Sequence, residues 1–236
     1  MRLALVGANC ALARHVVPLL ASHELAGTDT SFVDLRKPEE AAAAVADAGV
    51  LLHFGTAAVT VADDAPETAA ETLDHLARGT YHLLQAAAEA GVTRVVVCST
   101  VEVMLGHSPR WRVNESYRPR PLAEPLPLAA HLMETVCEEL ALERNLPVVC
   151  LRLGRLCLEE DVSGQPHDSL WLDLRDAAAA VHWATEVEFP RRFHALHVVH
   201  RSPRPRVESA RFHRRAALPA TQHNFEAATG QEGARA

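Results

Sequence analysis

Lysine is all but missing from this chain: Lys37 is the only one in 236 residues, and arginine carries nearly all the positive charge. Chemistry that needs a lysine amine in a pocket is therefore excluded away from Lys37. Tyrosine is almost as scarce, with Tyr81 and Tyr117 alone. Four positions after Tyr81 stands Gln85, and four after Tyr117 stands Pro121. A tyrosine and a lysine one helical turn apart, where they would share a face, cannot be built. The five cysteines (Cys10, Cys98, Cys137, Cys150, Cys157) form no C-x-x-C pair, which argues against zinc ribbons and thioredoxin-type redox sites. Several lie inside apolar runs and read as reduced core thiols of a cytosolic protein. No apolar run reaches the roughly 18 residues of a membrane span. Met1 to Gly7 passes directly into a strand pattern, so no signal peptide is expected.

Net charge is -7, which argues against nucleic acid as a general partner. The acidity is uneven, because arginines cluster after Pro190: Arg191, Arg192, Arg201, Arg204, Arg206, Arg211, Arg214 and Arg215. Guanidinium forks suit phosphate, although a solvated basic face is the simpler reading. The preference for arginine and alanine points to a GC-rich bacterial genome. There is no internal repeat.

What is present is a regular alternation of strands and helices. Leu3 to Val6 reads as a strand closed by Gly7, and Ala11 to Ser22 has helical spacing. Further strands are expected at Ser31 to Asp34, Val50 to Phe54, Arg94 to Ser99, Val148 to Leu153 and Phe193 to Val199. Helices are expected at Pro38 to Ala48, Thr68 to Gly91 and Leu128 to Leu142, with an alanine helix after Asp176. This alternation predicts an α/β fold, a Rossmann-like doubly wound parallel sheet, with a reduced C-terminal substrate lobe. One domain spans 1–225, its lobe segments lie near 104–127, 157–172 and 190–225, and 226–236 reads as a disordered tail.

The run Gly79-Thr80-Tyr81-His82-Leu83-Leu84-Gln85 through Val95-Val96-Val97-Cys98-Ser99-Thr100 resembles the helix and strand before the active site of the extended short-chain dehydrogenase/reductase family, the NAD-dependent epimerase/dehydratases. That family turns on a G-x-x-G-x-x-G loop; here it reads Gly7-Ala8-Asn9-Cys10-Ala11-Leu12-Ala13, with Cys10 where the middle glycine belongs. The resemblance places a cofactor on Gly7, Asn9, Cys10, Ala11, Leu12, Asp34, Leu35, Phe54, Gly55, Thr56 and Ser99. It implies NAD or NADP, bound weakly if at all, because Cys10 would crowd the turn.

Val33-Asp34-Leu35-Arg36-Lys37-Pro38-Glu39-Glu40 resembles the family's third strand and the start of the helix after it. On that reading the second strand and its ribose-binding acid are deleted. The alternative makes Asp34 the end of the second strand itself, and the deletion fits the pattern better.

Aligned with the family's catalytic segments, Val101 stands on the serine, Leu126 on the tyrosine and Ala130 on the lysine. All three chemical groups are absent. The polar residues left nearby are Glu102, His107, Glu115, His131, Glu134 and Arg152. Glu102, with His131 or His107 as a second group, is the candidate acid or base, because a glutamate among Val101, Met104 and Leu126 would be poorly solvated. Thr100, Val101, Glu115 and Arg152 complete the expected substrate pocket. No metal is expected, since His194 and His200 share a strand face but lie too far apart to chelate one ion.

The implied function is an epimerase/dehydratase-like protein without the Ser/Tyr/Lys groups: a non-redox small-molecule binder, partner subunit or catalyst in a biosynthetic pathway. The ligand would be a small molecule, phosphate- or nucleotide-containing if the arginines serve it, with a protein partner or homodimer as further expectations. The alternatives are an NAD(P)-dependent sugar-nucleotide epimerase/dehydratase or oxidoreductase using substitute groups, and a ligand or redox sensor.

Overall fold

The computed structural model describes residues 1–26, 33–61, 68–189, 191–202, 204–209, 221–223 and 225. Strands β1 (Arg2–Val6), β3 (Val50–His53), β4 (Arg94–Thr100) and β5 (Val148–Leu153) are almost continuous runs of Val, Leu, Ala and Cys side chains, buried along nearly their whole length. That pattern belongs to parallel strands covered on both faces. They join β2 (Glu24–Ala26) and β8 (Phe193–Val198) in one all-parallel sheet of order β2-β1-β3-β4-β5-β8. The doubly wound Rossmann-like reading therefore holds.

Alternation along each strand splits the core in two. Leu5, Leu52, Cys98, Leu151 and Leu196 pack on one face with α1 (Ala11–Val16) and α7 (Leu174–Glu186). Val6, Leu51, Val97 and Cys150 pack on the other. There they meet α2 (Pro38–Ala44), α5 (Thr80–Glu89) and α6 (Pro125–Glu143).

The chain leaves β1 toward β2 on one side and resumes on the other at β3, so the crevice between the ends of β1 and β3 is the switch point where open α/β sheets bind ligands. Gly7 and Gly55 stand on its two sides, with φ of +80° and +47°. A Cβ on Gly7 would lie 2.7 Å from Ala58 Cβ. Ala58 belongs to α3 (Gly55–Val61), a helix absent from the sequence expectations.

Three expectations need correction. The second strand is not deleted: β2 pairs in parallel register with β1, Arg2 opposite Glu24 and Ala4 opposite Ala26. It is a short edge strand without a strong apolar pattern, and the residues after it, 27–32, lie outside the described part. Of the strand expected at Ser31 to Asp34, the first two residues also lie outside it, and Val33 and Asp34 are not in a strand. Third, α6 starts at Pro125, not Leu128, because two prolines occupy its first turn, where a missing N–H costs nothing.

The long helix expected over 68–91 is interrupted. A capping box starts α4 (Ala69–Leu73), in which Thr68 Oγ accepts from the Glu71 N–H and Glu71 accepts from the Thr68 N–H. A π-helical turn over Asp74–Gly79 then leads into α5. Beyond β5, short strands β6 (Arg155–Cys157) and β7 (Trp171–Asp173) pair with each other, and Asp173 caps α7 through the Arg175 N–H. The tail at 226–236 and Arg211, Arg214 and Arg215 lie outside the described residues.

Candidate functional site

The parallel register builds the site. Ser99 on β4 lies beside Arg152 on β5, and Arg152 beside His197 on β8. All three point to the face covered by α6, which lowers Glu134 among them. Ser99 Oγ donates to Glu134 Oε1 at 2.6 Å. Arg152 donates to the same carboxylate through Nε at 3.0 and 3.1 Å and through Nη2 at 2.7 Å. Its Nη1 lies 3.3 Å from His197 Nε2. The other ring nitrogen, Nδ1, is 3.0 Å from the Glu208 carbonyl, which can only accept. His197 is therefore protonated at Nδ1, and its Nε2 lone pair accepts a hydrogen bond from Arg152 Nη1. The His197 N–H reaches Glu115 Oε1 at 3.4 Å. Burial works against the charge on Arg152, but Glu134 outweighs it, and its pKa is raised.

In front of this network, at the carboxyl edge of β4 and β5, is a cavity of about 310 Å³ lined by Thr56, Ala57, Ser99, Thr100, Glu102, Leu126, Leu153, Gly154, Arg155 and Leu156. Its volume lies at the low end for ligand pockets. Thr100 Oγ caps the 3-10 turn Val101–Met104 by accepting from the Glu102 N–H, and this turns Glu102 toward the cavity. Arg155 then meets Glu102, Nε to Oε1 at 3.0 Å, and reaches Asp168 Oδ2 through Nη1 at 2.7 Å. Burial opposes the Arg155 charge, yet its bonds to the two carboxylates prevail and raise its pKa.

Of the expected site residues, the structure thus gathers Thr56, Ser99, Thr100, Glu102 and Leu126 around one cavity. Glu115 and Arg152 stand behind its wall, not on it. Val101 and Ala130 are each 0% exposed, in an apolar cluster with Val103, Met104, Leu105, Val113, Leu170, Val199 and Val207. Val101 is therefore withdrawn from the pocket lining. His131 is half-buried on α6 and does not line the cavity. His107 belongs to a surface group with Trp111 and Tyr117. Glu102 is not the isolated carboxylate expected among Val101, Met104 and Leu126, since Arg155 pairs with it. Arg155, Asp168 and His197 were missed. The usable signal for Arg155 was its position just past the end of β5.

Of the residues expected to hold a cofactor, Gly7 and Gly55 flank the switch point. The Cys10 thiol is turned inward against the Leu5, Leu12 and Cys98 cluster, 1% exposed, and so does not stand over the turn as the glycine comparison implied. Burial raises its pKa, with the N–H groups of Ala13 and Leu12 pulling less strongly the other way. Asp34 is engaged by Arg36 at 2.7 and 3.1 Å, which lowers its pKa. Leu35 and Phe54 are buried, and Thr56 Oγ donates to the Cys98 carbonyl at 3.4 Å.

His194 and His197 lie on β8 and His200 two residues past its end, off the strand on which it was expected, and the three have separate partners. His194 accepts from the Arg191 N–H, His197 joins the buried network, and His200 pairs with the Trp171 carbonyl and with His167. Among the described residues no three His, Cys, Asp or Glu side chains gather as for a metal ion, and no helix is long and apolar enough to cross a membrane.

Comparison with solved structures shows the same fold at low identity. A short-chain dehydrogenase/reductase superfamily protein from Agrobacterium tumefaciens with bound NAD superposes with a TM-score of 0.78 at 16% identity, covering 98% of this chain and 95% of that one. Glucuronic acid dehydrogenase from Chromohalobacter salexigens gives 0.76 at 16% identity, covering 98% and 90%. UDP-N-acetylglucosamine 4-epimerase from Bacillus cereus gives 0.72 at 15%, covering 98% and 97%. No curated protein sequence matches. The family model for the NAD dependent epimerase/dehydratase family matches residues 4–189, and the chain belongs to that family.

Proposed function

We propose that this chain binds a small molecule in the cavity at the ends of β4 and β5 and carries out no tyrosine/lysine hydride chemistry there. The observation that supports this reading is the apolar cluster: Val101 and Ala130, on the family's serine and lysine positions, are both fully buried among aliphatic side chains. Neither a hydroxyl nor an amine reaches the cavity from those positions. Leu126, on the tyrosine position, lines the cavity without a proton to give. Glu102 is the carboxylate on the wall, and any proton exchange with a ligand falls to it.

A dinucleotide fits the switch-point turn, because Gly7 keeps its left-handed conformation and Cys10 is turned away from it. Backbone groups of Gly7, Asn9, Cys10, Ala11 and Leu12 would hold its pyrophosphate, with Thr56 and Ser99 toward its other end. When bound, NAD or NADP supplies a hydride acceptor. Affinity is low on this reading, because no lysine grips the cofactor ribose and Asp34 is committed to Arg36.

The intact Gly7 turn is the one observation favouring a second reading, hydride transfer with substitute groups. The test is NADH formation, followed by absorbance, with sugars, uronates and UDP-sugars of the kinds named for the structural neighbours. No signal above the protein-free rate is expected. Turnover by the natural protein that survives Glu102→Gln and Tyr117→Phe would place an active site elsewhere and overturn the proposal.

A further inference from the structure

The charges around Arg155 set what the cavity accepts. Arg155 is the one cation on its wall among the described residues, and it faces two carboxylates, Glu102 at 3.0 Å and Asp168 at 2.7 Å. The local balance is one negative charge in excess. Behind the wall Arg152 and Glu134 cancel, and Glu115 acts on the same guanidinium, so the interior adds no positive charge. An anionic ligand would enter a site whose cation is already taken.

The remaining polar groups have definite directions. The Ser99 proton is committed to Glu134, so toward the cavity Ser99 can only accept. Thr100 Oγ accepts from the Glu102 N–H, which leaves its own proton to donate. Glu102 Oε2 offers a second acceptor. Ala57, Leu126, Leu153 and Leu156 make the remainder of the wall apolar. Hydroxyls along one edge and C–H groups on the other face are what complement such a wall.

We infer that the cavity selects an uncharged, hydroxyl-bearing molecule of about monosaccharide size and rejects its carboxylate counterpart, with Glu102 and Asp168 holding Arg155 neutralised as the specificity-determining group. The inference rests on the binding reading above and adds the charge of the ligand to it.

Glucose and glucuronate test it, because they differ only in a hydroxymethyl group exchanged for a carboxylate. Binding of each is measured by calorimetry at neutral pH to the natural protein, to Asp168→Asn and to Arg155→Gln. Asparagine keeps the Oδ1 that accepts from the Leu170 N–H, so the loop retains its local bond while Arg155 loses one counter-charge. The natural protein should bind glucose about tenfold more tightly than glucuronate. Asp168→Asn should tighten glucuronate by about tenfold, a gain that added salt reduces, with glucose changed less than about twofold. Arg155→Gln should weaken glucuronate further. Glucuronate binding to the natural protein as tightly as glucose, or an Asp168→Asn variant that leaves glucuronate unchanged, would overturn the charge filter and leave the binding reading standing. No binding of either sugar to any of the three proteins at about 10 mM would overturn both.

Discussion

Glu134 shows how much one buried side chain decides here. It is 3% exposed and takes one hydrogen bond from Ser99 and three from Arg152. Glu134→Ala leaves Arg152 buried beside Met104 and His197 without its counter-ion, and removal of one partner of a buried pair costs about 3–5 kcal/mol. Urea unfolding should show a loss of that size, with Ser99 no longer held against α6. His53 gives a separate, pH-dependent signature. It is 1% exposed, its Nε2 lies 3.1 Å from Thr80 Oγ, and burial, with His75 nearby, pushes its pKa down to about 3. The unfolded chain therefore takes up this proton before the folded one does as pH falls. The stability due to neutral His53 is complete above about pH 6.5 and declines by about 1.4 kcal/mol per unit down to about pH 3. Unfolding free energies at pH 7 and 5 should show this fall, and a smaller one in His53→Gln; equal slopes would contradict it. At this scale the sequence was legible for residue types alone. It named Glu134, Arg152 and Glu102 as the polar remainder, but Arg155, Asp168 and His197 come together only through β5–β8 register and the β6–β7 pairing.

The elements were more readable than their contacts. β1, β3, β4, β5 and β8 appear within a residue or two of expectation because buried parallel strands are written as unbroken apolar runs. β2 was missed because an edge strand of three residues, Glu24–Ala26, carries no such run. The π-helical turn over Asp74–Gly79 was missed because it is itself helical and runs without a break between Ala69–Leu73 and Thr80–Glu89. The glycines allow a sharp comparison between elements. Gly7 and Gly91 have similar φ, +80° and +77°, but a Cβ on Gly7 would meet Ala58 Cβ at 2.7 Å, whereas one on Gly91 would meet nothing within 4 Å. Gly91→Ala should cost about 1 kcal/mol, the conformational penalty alone. Gly7→Ala should cost about 2–3 kcal/mol, because it also drives α3 away from β1. Thermal unfolding of the two variants should rank them in that order, and equal losses would mean that the switch-point crevice can yield.

On the proposed reading, one backbone plan carries two different fates across the whole molecule. The half around β1, β3 and the Gly7 turn leaves a crevice at the switch point where a dinucleotide would lie. The half around β4, β5 and α6 holds the Ser99–Glu134–Arg152 network and, on that reading, carries Val101, Leu126 and Ala130 where the family has its reactive groups. Near-absence of lysine made this second fate readable from the sequence, since the single lysine, Lys37, stands at the start of α2 and not on α6. The first could not be read in the same way, because the orientation of Cys10 depends on what packs beneath the turn. If the crevice has outlived the groups that grip and use its cofactor, it should hold NAD only loosely. Calorimetric titration of NAD into the natural protein decides this. A Kd weaker than about 100 μM is predicted. A Kd of about 1 μM or below for the natural protein would contradict the loss of grip.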